Sequence, residues 1–159
     1  MELGQLLPHA QLVDQYGDLV DIYDFAQDGR PVVLQLSAGW CYYGWMIGDG
    51  LWGDDDRGLA GDYPALFDAI RTGEVHHLTV FVHGFEQDTP EDSAVLDEFM
   101  SRHPDASQPA MLDDGSLLPL VEWGFPTMLV LDEDLRIRSA ETALTAATSD
   151  AVVGLLNEG

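Results

Sequence analysis

One cysteine, Cys41, lies in the string Ser37-Ala38-Gly39-Trp40-Cys41-Tyr42-Tyr43-Gly44-Trp45, directly after the apolar run Val32-Val33-Leu34-Gln35-Leu36. A thiolate attacks a disulfide sulfur and forms a mixed disulfide. Completing that exchange within one protein takes a second thiol close by. The position three residues on is Gly44, and the chain has no other cysteine. An internal disulfide is therefore excluded, and release of a mixed disulfide falls to an external thiol such as glutathione. A lone cysteine is often a small buried hydrophobe. Here its place after Trp40, where a buried strand turns into a helix, predicts a partly exposed nucleophile instead. A helix N-terminus favours the thiolate through its N–H groups and dipole. Against it stand Asp49, Asp54, Asp55 and Asp56, with no arginine between Arg30 and Arg57. The balance predicts a thiol of modest acidity, sluggish at pH 7.

Other chemistries have less support. Lysine is absent, which excludes Schiff-base and lysine-base catalysis. His76 and His77 are adjacent and point to opposite faces of a strand, while His83 and His103 are isolated along the chain, so no metal site is expected. The Asp54-Asp55-Asp56 run lacks the Gly and Glu spacing of a calcium loop and reads as a solvated loop. No cofactor is called for. Tyr42, Tyr43, Trp45 and Trp52 form either an aromatic substrate groove or a cap over the core where glycines leave gaps.

The chain that must position Cys41 has 159 residues, 46% of them hydrophobic and 22% charged, and reads as one globular domain spanning 1–159. No apolar run is long enough for a transmembrane helix. The first residues show no signal-peptide pattern, which makes the cytoplasm the default compartment and an extracytoplasmic one the alternative if a leader is trimmed. Acidic residues number 29 against six arginines, a formal charge of −23. Such a surface repels nucleic acid and anionic membranes. It is read first as a solvated, salt-adapted surface, with docking to a basic protein partner as the alternative.

Short apolar pieces at Gln11–Val13 and Leu19–Phe25 flank turn signals at Gly17-Asp18 and Asp28-Gly29. Val32–Leu36 suits a central strand covered on both faces. The following segment holds Gly44, Gly48, Gly50 and Gly53, each costing about 1 kcal/mol inside a helix. A short helix broken near Gly48 to Gly53 is predicted. A second helical piece starts at about Asp62 as N-cap, buries Leu66, Phe67 and Ile70, and stops at Gly73. Leu78–Val82 is a further buried strand. Thr89 and Pro90 start a helix with Val95, Leu96, Phe99 and Met100 on its apolar face, ended by His103-Pro104. Met111–Leu120 reads as a short strand and turn. Thr127–Leu131 and Leu135–Arg138 form a hairpin. Ser149 or Asp150 caps a last helix carrying Ala151, Val152, Leu155 and Leu156.

Strand, Trp40-Cys41-x-x, helix, strand, helix, Gly124-Phe125-Pro126-Thr127, hairpin and helix is an order that resembles the thioredoxin-like superfamily. The lead-in residues Gly4, Pro8, Leu12, Asp14 and Gly17, with the inserted helix at Pro90–Arg102, resemble its redoxin domains of the TlpA and peroxiredoxin type. The two motifs stand about 85 residues apart, and the resemblance spans nearly the whole chain. It implies an α/β three-layer sandwich with a mixed central sheet, an N-terminal extension and an inserted helix. It also implies that Cys41 is the nucleophile, that Pro126 is cis and faces it, that the Phe125 backbone binds an extended peptide, and that Trp40, Tyr42 and Tyr43 border the substrate. Two positions depart from the family pattern. Gly44 replaces the resolving cysteine, and Gln35, six residues before Cys41, replaces a buried carboxylate that assists proton transfer. The peroxiredoxin threonine or serine with proline ahead of the cysteine is absent as well. Two functions follow. One is a monothiol redox protein that exchanges with protein or low-molecular-weight thiols and disulfides. The other is a non-catalytic binding module that keeps the peptide groove.

Overall fold

The computed structural model describes residues 1–86 and 93–158. One seven-stranded mixed sheet runs through it in the order β2-β1-β5-β4-β3-β6-β7. The strands are β1 (Gln11–Asp14), β2 (Leu19–Asp21), β3 (Val32–Ala38), β4 (His76–His83), β5 (Ala110–Leu112), β6 (Thr127–Leu131) and β7 (Ile137–Thr142). The helices are α1 (Tyr42–Trp52), α2 (Leu59–Asp62), α3 (Pro64–Arg71), α4 (Ser93–Arg102) and α5 (Ala146–Glu158). This is the α/β thioredoxin-like arrangement that the sequence implied.

Strand β3 is buried along its whole length and sits between β4, parallel to it, and β6, antiparallel. That placement explains why Val32–Leu36 shows no polar alternation apart from Gln35. Side chains on a strand alternate between faces. One face of β3 therefore carries Val32, Leu34 and Leu36, and the other carries Val33, Gln35 and Ser37. The first set joins Leu78, Val80, Val82, Met111 and Leu129 in a core closed by Leu7, Leu12, Ile22 and Leu120. The covering layer on this side is thus the N-terminal segment and two 3-10 turns, Ile22–Phe25 and Leu118–Leu120. On the opposite face Val33 packs with Ile47 and Leu51 of α1, Leu66, Phe67 and Ile70 of α3, and Val152 of α5. Trp45 and Phe81 meet Val95, Leu96 and Phe99 of α4 on that same face.

Several local expectations need correction. Helix α1 is unbroken to Trp52, passing through Gly48 and Gly50 and ending at Gly53. A Cβ on Gly48 would lie 2.5 Å from the His103 ring, and one on Gly50 2.7 Å from Phe67. These glycines are where other side chains press against the helix, and that packing offsets their poor propensity. Asp62 does not cap the second helical piece. It ends α2, and α3 starts at Pro64 after Tyr63. Asp55 is not merely solvated, because its carboxylate accepts from the N–H groups of Leu59 and Ala60 and anchors α2. Met100 is exposed, unlike its neighbours Val95, Leu96 and Phe99. Helix α5 begins at Ala146, ahead of the Ser149 or Asp150 cap. The expected start of the inserted helix at Thr89 and Pro90 lies outside the described residues.

Candidate active site around Cys41

Strand β3 delivers the site. Its last residues are tied to the end of β4: Gly39 N–H donates to the His83 carbonyl at 3.0 Å and Trp40 N–H to the Gly84 carbonyl at 3.2 Å. Gly39 has to be glycine here, because a Cβ would meet the Gly84 backbone and Val95 at 2.9 Å. The Trp45 indole donates to the Gly39 carbonyl at 2.8 Å, locking the same turn from the helix side. The turn leaves Cys41 as the N-cap of α1 with extended backbone angles.

Cys41 is 6% exposed, so the partial exposure expected of it is not what the fold gives. Burial pushes its thiol up, and the N–H groups of Gly44 and Tyr43 pull partly the other way. The direction agrees with a weakly acidic thiol. The cause does not: desolvation raises it, and no carboxylate contributes.

Across from Trp40, the Phe125–Pro126 bond is cis. The loop is pinned by Ala143 N–H donating to the Pro126 carbonyl at 2.7 Å, and by the Thr127 hydroxyl donating to the Gly124 carbonyl at 2.8 Å. The Phe125 ring meets Trp40 edge-on at 5.5 Å and His83 at 5.1 Å. Trp40 and Phe125 are thus brought together at the turn that carries the thiol, with Trp40 37% exposed. Tyr42 is 61% exposed and carries the Arg57 guanidinium over its ring. Tyr43 turns away: it packs in the core with Ile47 and Leu51, and its hydroxyl donates to the Leu144 carbonyl. Trp45 is buried in the core and Trp52 is half-buried against it, so of the four aromatics Tyr42 is the exposed one.

The altered positions form a floor under the first turn of α1. The Gln35 amide donates to the Gly44 carbonyl at 3.2 Å, and its oxygen lies 3.0 Å from His77 Nε2. His77 is fully buried, and desolvation lowers its pKa to about 4, so it is neutral at pH 7 and donates to Gln35. Ser37, 1% exposed, stands at the same level. A Cβ built on Gly44 would lie 2.1 Å from its Oγ, 3.4 Å from its Cβ and 3.5 Å from the Gln35 amide. That hydroxyl is buried and has no hydrogen-bond partner among the described residues. Ser37 therefore fills the space that a side chain at position 44 would need.

Sequence reasoning missed Ser37, His77 and His83 as neighbours of the site. Two signals were available. Gln35 is a polar residue inside an apolar strand, and a buried amide needs partners. His77 is the residue directly beside Val33 on β4, two positions from Thr79, which is paired with Gln35. Among the described residues no group of three or more histidine, cysteine or carboxylate side chains is placed to hold a metal ion.

No family model matches the chain, and no curated protein matches it. Solved structures do. A putative thiol:disulfide interchange protein DsbE from Chlorobium tepidum is 15% identical with a TM-score of 0.67, over 98% of this chain and 99% of that one. A putative protein disulfide isomerase from Bacteroides thetaiotaomicron is 16% identical with a TM-score of 0.67, over 99% and 89%. An exposed lipoprotein thioredoxin from Streptococcus pneumoniae is 18% identical with a TM-score of 0.62, over 95% and 99%. At such identities the likeness is one of architecture, and the architecture of this chain is the thioredoxin-like fold, nearly from end to end.

Proposed function

We propose that this protein is a monothiol thiol–disulfide exchange protein. Cys41, as thiolate, attacks one sulfur of a substrate disulfide; the new bond is the mixed disulfide and the other substrate sulfur leaves as thiolate. An external thiolate then attacks the substrate sulfur of that mixed disulfide, forming a new disulfide and releasing Cys41. The observation that carries this reading is Cys41 at the N-cap of α1, where the N–H groups of Tyr43 and Gly44 favour its thiolate, on the turn that Phe125 of the cis-proline loop meets through Trp40. Those N–H groups stabilise a thiolate once solvent or substrate reaches it. Phe125, Pro126 and Trp40 border the substrate, which is a protein or low-molecular-weight disulfide.

A second reading, a binding module without turnover, is favoured by one observation: burial raises the thiol, and the floor beneath it has no group that titrates near pH 7. The deciding measurement is mass spectrometry after native incubation with oxidised glutathione. The redox reading expects an adduct on Cys41 that reduced glutathione removes. Labelling that appears only after denaturation would make Cys41 a structural residue and leave the binding module.

A further inference from the structure

The last strand of the sheet, β7, is paired with β6 on one side only. The N-terminal segment covers the start of its other edge: Gly4 N–H donates to the Ile137 carbonyl, Ile137 N–H to the Gln5 carbonyl, and Leu6 is bridged to Arg136. Beyond Ile137 that cover stops. Among the described residues, the outward backbone groups of Ser139–Thr142 have no backbone partner. A groove of about 380 Å³ opens there, lined among others by Leu3, Glu122, Trp123, Thr127, Glu141 and Thr142. Trp123 is 85% exposed, the most exposed of the large apolar side chains. Leu3, also on the groove, is exposed as well. Thr127 follows Pro126 directly, so the groove leads into the loop that meets the Trp40–Cys41 turn.

An open strand edge is satisfied by an extended backbone, which supplies the missing N–H and C=O partners. An exposed indole beside it offers an apolar anchor for alternate side chains of that backbone. The charge of the rim selects the occupant. Glu2, Glu122 and Glu141 line the groove, and its one arginine, Arg138, is already held by Asp132 and Glu158. Glu122 accepts from the Met1 ammonium at 2.7 Å, whereas Glu2 and Glu141 form no ion pair among the described residues. A second copy of this chain, at −23, would bring like charge to the same rim.

We propose that the open edge of β7 beside Trp123 binds an extended, basic polypeptide segment and delivers its disulfide to Cys41. The delivery half rests on the exchange function proposed above; the docking half does not. The test uses blocked, cysteine-free peptides of alternating valine and lysine, or valine and glutamate, titrated into the full chain and followed by amide chemical shifts. The valine–lysine peptide is expected to shift the amides of Ser139–Thr142 and the Trp123 indole. It should bind at least about tenfold more tightly than the glutamate peptide, a difference of about 1.4 kcal/mol. Trp123→Ala, and separately the pair Glu122→Lys with Glu141→Lys, should each weaken it about tenfold; Glu122 and Trp123 are exposed and Glu141 half-buried, and an unchanged circular dichroism spectrum checks that the fold is retained. Equal binding of the two peptides, or shifts confined to other surfaces, overturns the proposal. So does a concentration-dependent dimer of the free protein that Trp123→Ala dissolves, because the occupant is then a second copy. The peptides carry no thiol, so failure here is distinct from failure of Cys41 to form its glutathione adduct.

Discussion

The two ends of α1 use glycine for opposite purposes. At the C-terminal end, Gly48 and Gly53 make a seat for the His103 ring, with Cβ positions 2.5 and 3.1 Å from it. The ring is then fixed: Nε2 lies 2.7 Å from Asp49, Phe99 stacks edge-on at 4.9 Å, and Arg102 pairs with the same Asp49 at 2.7 Å. This joins the inserted helix α4 to the helix that begins with the thiol. At the N-terminal end, Gly44 seats no ring. The space is taken by one hydroxyl with no partner among the described residues, above an amide and a neutral imidazole. One end gains packing and hydrogen bonds from its glycines. The other lacks the atom that would complete a dithiol, and the strand below fills its place.

The largest effect expected is all-or-none. Cys41→Ser should abolish the glutathione adduct in intact-mass measurements while leaving the fold, read by circular dichroism, unchanged. A fold lost in Cys41→Ser would instead make the buried thiol a structural residue.

Next is the pH response of the floor. His77 has a folded pKa of about 4, below the unfolded value near 6.5. Protonation therefore favours the unfolded chain. The stabilisation is complete above about pH 6.5 and is lost as pH falls toward 4, by about 3 kcal/mol in all. His103, lowered by burial against the pull of Asp49, adds a loss of the same sign. His77→Gln should flatten the urea-derived stability profile over that range and leave the His103 share. An unchanged profile would remove His77 from the account.

Gly48→Ala tests the other end. Helix propensity alone would make it stabilising by about 1 kcal/mol. The clash with His103 should reverse the sign and cost about 2 kcal/mol net. Gly44→Cys comes next: forcing its side chain against Ser37 should cost about 1–2 kcal/mol, and the introduced thiol should form little disulfide with Cys41. Adding Ser37→Ala leaves only contacts at 3.4 Å and beyond, and should recover both stability and disulfide formation. If Gly44→Cys alone forms the disulfide readily, Ser37 is not the obstacle. The smallest effect is the control, Gly154→Ala in α5, where a Cβ meets nothing. It should raise stability by about 0.5–1 kcal/mol in the same denaturation assay.

Much of this fold can be read along the chain. Val32–Leu36 and Thr127–Leu131 are buried on both faces, and the lack of polar alternation, with Gln35 and Thr127 the polar exceptions, says so. The hairpin after Leu131 and the buried face of α3 follow from turn residues and helical spacing. Ends were harder to place: Thr142, not Arg138, closes β7, because pairing with Thr127 extends a strand that its own composition does not. Helix propensity, a local quantity, marks the glycines of α1 as breaks. Their partners, His103 and Phe67, are distant in sequence, and only packing brings them to the helix.

The sequence by itself determined that there is one thiol, that it follows a central strand, and that no lysine or second cysteine can assist it. Those are facts of composition and local order. The tertiary structure decided what that thiol meets: burial rather than acid raises it, Ser37 fills the place beside Gly44, and Tyr43 faces the core. Each of these depends on which side chains meet across strands and helices, where a shift of one residue turns a side chain to the opposite face.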